Sequence, residues 1–317
     1  MKLSTGKIIY LLVLLVALFL VGKSFIVNGS SKIDELKNAT VLNDSTLNGE
    51  NEGKLVLVTG PFSFVSATDN TTGVTCFSPV LKRSVEMYQY DYDTNTKIVD
   101  TVWSKNMGGE VLEDGEGYTL TDNRGIAYQN PRKELEDETF FGEATVGDYN
   151  LDKSLLVKMN AKDKVVAKSD DVRAVYNGKE LTYENEYFTT CPETGREIVG
   201  DIRIKYNEKD VTNVNEVTVL GLVSNGTIME YTTDKGAVVA ACKCGKASLD
   251  SIIKEIEQGD KKGKTTGVVI LVIIIVIGYF IFKKKDNVVT ATPKNESVNN
   301  DVKIETSNES NDESNNE

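Results

Sequence analysis

Cys76, Cys191, Cys242 and Cys244 are the only thiols in this chain, and it has no histidine to activate them. That absence removes the Ser-His-Asp triad, the Cys-His pair, the HExxH zinc site and every imidazole general base. Cys242 and Cys244 stand as Cys-x-Cys in GAVVAACKC (236–244), which reads as a buried strand whose alternate residues share a face. Thiols so placed are more often small core residues than ligands, and structural zinc usually shows paired C-x₂₋₄-C spacing with four ligands. No metal and no cofactor is expected. In an oxidising compartment one or two disulfides could form, and all three pairings stay open.

Paired carboxylates are the other route to acid–base chemistry. The acidic runs 134–138 (ELEDE) and 184–186 (ENE) read as solvated loop faces. Gly108-Gly109 and 115–117 (GEG) read as turns, since no apolar strand there feeds a helix in the manner of a phosphate loop. There is no positive case for an enzyme.

The residues that could recognise a partner lie on one strand. VLKRSVEMYQYDY (80–92) alternates, with Leu81, Arg83, Val85, Met87 and Gln89 on one side and Lys82, Ser84, Glu86, Tyr88 and Tyr90 on the other. Arg83, Glu86, Tyr88 and Tyr90 are the candidate interaction residues. Glu86, Tyr88 and Tyr90 share a face, and Arg83 could sit opposite an acid. Packing is the plainer role for such a strand.

The elements around it are mostly β. KLVLVT (54–59) reads as a strand closed by the turn pair Gly60-Pro61. The segment 96–104 pairs with 80–92 across Asp93-Thr94-Asn95 as a hairpin. DIRIKY (201–206) alternates cleanly. Strands at 216–223 and 227–232 flank Ser224-Asn225-Gly226, whose Asn-Gly is a strong hairpin signal, and AVVAA (237–241) follows. Residues 142–159 read as a strand and then a helix. A short helix is expected at 31–37 and another at 248–258, with Ser248 as N-cap.

Two charge-free apolar runs, 8–22 and 267–282, bracket this domain, each flanked by lysines. A membrane-crossing helix needs roughly 17–25 apolar residues, and flanking lysines can snorkel to the headgroups. The first run reads as a retained anchor. Its alternative, a cleavable signal peptide, has only Gly22-Lys23-Ser24 as a cleavage site. Lys2, Lys7 and 283–285 then place both termini in the cytoplasm. Half of the net charge of −12 lies in the tail 286–317, which is too poor in aliphatic residues to order itself. No basic face invites nucleic acid. The expected fold class is a membrane-anchored α+β chain with a β-rich extracytoplasmic domain between two transmembrane helices. Its parts are an anchor at 1–30, a linker at 31–50, the domain at 51–262, a second membrane helix with a basic stop at 263–285, and the acidic tail.

Several segments together resemble the transmembrane protein 43 (LUMA) family: NEGKLV (51–56), LKRSVEMYQY (81–90), Trp103-Ser104, VGDIRI (199–204), the hairpin ending at Tyr231 and the helix before the second run. The resemblance covers roughly residues 50–260 and implies the same hairpin topology. It also implies self-association and the organisation of other membrane proteins at the lipid bilayer. Animal members have three membrane helices at the C-terminus where this chain has one run. Abundant Asn and Lys with no His suggest an AT-rich bacterium and hence the plasma membrane; a eukaryotic source would place the chain in the endoplasmic reticulum or nuclear envelope. Two functions are expected from this: a non-enzymatic scaffold with homo-oligomers and membrane-protein partners, or an extracytoplasmic sensor or ligand-binding receptor signalling through the membrane.

Overall fold

Strands that place successive residues on opposite faces can bury one face, or both if each is covered. The computed structural model describes residues 9–10, 12–19, 30–93, 96, 98–112, 115–234, 236–259 and 272–277. Its described residues fall into two units, one within 19–268 and one from the two chain ends. In the larger unit the first sheet closes on itself. Leu55–Phe64 pairs with Ala144–Val146, which pairs with Tyr149–Leu151. That strand runs parallel to Thr227–Met229, which pairs with Glu216–Ser224, and Glu216–Ser224 returns to Leu55–Phe64. These strands form a small barrel-like ring.

Both faces of the ring strands are covered, which is why KLVLVT and EVTVLGLV read as nearly continuous apolar runs. Val56, Val58, Val146, Tyr149, Val219 and Ile228 belong to one buried cluster. The alternate positions Leu57 and Leu220 belong to another, with Leu36 of helix Ser30–Lys37 and Ile252 and Ile253 of helix 249–259. Ser248 caps the latter helix through the Ser251 N–H, as expected. The Asn225-Gly226 turn is also as expected, with φ of 51° and 73°. Gly60-Pro61 is not the end of its strand but lies inside it. Ser45 packs so close that a Cβ at position 60 would lie 2.5 Å from its own Cβ. Glycine is required there by close approach, not by a turn. Residues 142–159 hold two short strands and then helix Lys153–Val157, one strand more than expected.

The second sheet is built on Val80–Tyr92. Ile202–Lys209 runs along one edge from Leu81 to Met87. Glu138–Phe141 and Val99–Ser104 share the other, covering Val80–Arg83 and Met87–Tyr92. Side chains complete both edges. The Val85 N–H, in the gap between those two strands, donates to Asp137 Oδ1 at 2.7 Å. Past Met87 the Tyr88 backbone pairs with Gly200 and Asp201. Asn130 then accepts from the Tyr90 N–H at 2.7 Å and donates to its carbonyl at 2.9 Å, as a peptide unit would. Asn130 comes from Ala127–Pro131, so its amide ties a small three-stranded sheet to the long strand.

The fold class is corrected at the chain ends. The chain is mostly β with few helices, and among the described residues none is long and apolar enough to cross a membrane. Described helix in the first apolar run covers residues 9–10 and 12–19, and in the second 272–277. Eight helical residues rise about 12 Å against a hydrocarbon core of about 30 Å. The rest of each run, the 263–285 boundaries and the acidic tail lie outside the described residues.

Gly60→Ala should lower the stability of the full chain by about 1–3 kcal/mol in urea unfolding. Adding Ser45→Gly should recover most of that loss; no recovery would show that the Ser45 contact is not the cause.

Candidate interaction surface

The long strand separates the sequence-predicted residues. Arg83 lies on the buried face, its side chain 3% exposed. Its Nη1 donates to Asp69 Oδ2 at 2.6 Å, Nη2 to Glu138 Oε2 at 2.9 Å, and Nε to the Glu136 carbonyl at 2.9 Å. The guanidinium also stands over the Phe140 ring. Asp69 is fully buried and accepts further hydrogen bonds from Tyr206 Oη, Thr72 Oγ1 and the Thr71 N–H. Burial alone would raise the Asp69 pKa. The hydrogen bonds from Tyr206, Arg83 and Thr71 more than offset it and hold the carboxyl below its usual value. Burial pushes the Tyr206 phenol far above its usual range, so it remains a donor. A buried charge survives only when this fully satisfied.

The four acids of ELEDE are solvent-exposed, as the sequence suggested, and each also has a specific partner, Glu136 pairing with Lys133. Glu138 meets Arg83, Asp137 meets Val85, and Glu134 accepts from Tyr176 Oη. The ENE run is a hairpin turn with Asn185 and Glu186 at positive φ, and Glu186 pairs with Lys205.

Glu86, Tyr88 and Tyr90 come together on the opposite, half-exposed face. The register sets Glu86 beside Arg203 and Tyr88 beside Trp103. Arg203 Nε and Nη2 both reach Glu86 Oε2 at 2.6 Å. Its guanidinium lies 4.6 Å from the Trp103 ring centroid and 4.5 Å from that of Tyr187. Tyr88 packs on Trp103 at 5.4 Å, and Tyr90 on Tyr128 at 5.0 Å. Trp103, Tyr187, Arg203 and Tyr128 complete this surface and were not singled out as site residues from sequence. The alternation of DIRIKY already places Arg203 on the polar face; only the pairing register shows what it meets.

The four cysteines are free thiols. Cys242 belongs to the core cluster of the ring, against which Cys244 packs. Burial, and next the neighbouring Cys244, push the Cys242 thiol up to about 12. Burial, and next the Glu208 charge, do the same to Cys76. Thiols so raised are poor nucleophiles and poor metal ligands at neutral pH. Among the described residues no group of three or more Cys, Asp and Glu could hold a metal.

Arg83→Met should destabilise the full chain by about 3–5 kcal/mol, because Asp69 is left buried without its cation. A depressed carboxyl contributes stability above its unfolded pKa of about 3.9 and loses it as pH falls through the folded value. The stability difference between wild type and Asp69→Asn should therefore close as the pH drops below about 4. Urea unfolding across pH measures both; an Arg83→Met loss under about 1 kcal/mol would remove the tie from this account.

A family model for transmembrane protein 43 matches residues 121–299. The match takes in VGDIRI and the second apolar run and begins after the long strand. No curated protein and no solved structure matches the chain. With more than half of its length matched by that model, this chain belongs to the transmembrane protein 43 family.

Proposed function

We propose that this chain is a non-enzymatic, membrane-associated assembly protein of bacterial type. Its β-domain holds membrane proteins, including further copies of itself, on the extracytoplasmic side of the plasma membrane. The observation that carries this reading is the half-exposed face of Glu86, Tyr88, Trp103, Tyr187 and Arg203. Trp, Tyr and Arg are the residues that most often dominate binding energy in protein interfaces. Here they are held in place before any partner arrives, which reduces the ordering cost of association. Family membership supports the membrane setting, and the Asn- and Lys-rich, histidine-free composition supports a bacterial source.

Crosslinking in native membranes, with neighbours identified by mass spectrometry, tests this. The wild type should give adducts with other membrane proteins and with itself. Tyr88→Ala/Trp103→Ala should lose most of them while keeping its far-ultraviolet circular dichroism. A wild-type protein that stays an unlinked monomer would refute the proposal.

A further inference from the structure

Beside Arg203 the surface opens into a pocket of about 80 Å³, walled by Trp103 and Tyr187 and floored by Thr189 and Cys191. That is well under the roughly 300–1,000 Å³ of small-molecule sites and suits a single side-chain head. The floor offers little to a ligand. Thr189 Oγ1 already donates to the Ile202 carbonyl and accepts from the Cys191 N–H, and both residues are buried. Arg203 is also committed, with its charge matched by Glu86 and its guanidinium against two rings.

What remains is negative. Glu184 and Glu197 line the pocket, and neither forms an ion pair among the described residues. The neighbouring acids Glu86, Glu186 and Glu193 are each neutralised, by Arg203, Lys205 and Arg196. The two rings already hold Arg203, and Tyr187 holds Lys205 as well. The pull on a ligand therefore comes from the two carboxylates without an ion pair, which repel an anion and attract a cation through charge. We infer that this pocket receives one basic side chain, lysine or arginine, from a partner protein. The inference rests on the assembly reading and adds to it the chemistry of the partner.

Trp103 is the only tryptophan in the chain, so its fluorescence reports this pocket alone. The full chain in a non-ionic detergent is titrated with the peptide acetyl-Gly-Lys-Gly-amide and with its Nε-acetyl-lysine counterpart. The lysine peptide should give a saturable change, the acetylated peptide none, and Glu184→Gln/Glu197→Gln should weaken binding at least ~10-fold. An equal response to both peptides, no response, or unchanged affinity in the double variant would overturn the assignment. Crosslinking that same variant in membranes separates the two ideas. Loss of neighbours supports a basic partner residue in the pocket. Neighbours retained while peptide binding is lost would overturn that assignment and leave the assembly reading standing.

Discussion

A strand of thirteen residues carries backbone donors and acceptors along two edges, and each buried one must be paired. Val80–Tyr92 meets this demand although no single neighbour spans its length. Ile202–Lys209 stops at Met87 on one edge, and the other edge changes partner between Arg83 and Met87. Asp137 and Asn130 supply the missing backbone partners from their side chains, at Val85 and at Tyr90. The second sheet, and the small sheet tied to it through Asn130, depend on those two substitutions of side chain for main chain.

Once the edges are closed, the two faces of the strand take different work. The inner face binds distant segments through Arg83, Asp69 and Tyr206, whose charged and phenolic groups are paired with one another. The outer face holds a ladder of partly exposed contacts, each worth only about 0.5–1.5 kcal/mol. Such contacts add modestly to stability. Their consequence is orientation: Arg203 is fixed by Glu86 and two rings beside the pocket that Glu184 and Glu197 line.

Local pattern was enough to read the alternation of residues 80–92, the hairpin at Asn225-Gly226 and the cap at Ser248, because each depends on neighbours in sequence. The role of ELEDE was not readable, since Glu138 finds its cation at Arg83 and Asp137 its donor at Val85, both more than fifty residues away. Gly60 was misread for the same reason, its constraint being Ser45 rather than its own backbone. Closure of the ring depends on five pairings, and the Asn225-Gly226 hairpin marks one of them locally. The pairings of Leu55–Phe64 with Ala144–Val146 and Glu216–Ser224, and of Tyr149–Leu151 with Thr227–Met229, join segments far apart in sequence and have no local signature. The apolar runs were readable as helix-forming, but among the described residues no helix is long and apolar enough to cross a membrane.

Native-state hydrogen exchange along 80–92, in the full chain in detergent, tests most directly whether side chains complete this strand. The amides of Val85 and Tyr90 should be as protected as those of Leu81 and Met87, opening only with the sheet. Asn130→Ala should speed exchange at Tyr90 by at least ~10-fold while leaving Leu81 unchanged. Exchange of Val85 and Tyr90 at loop-like rates in the wild type would contradict the account.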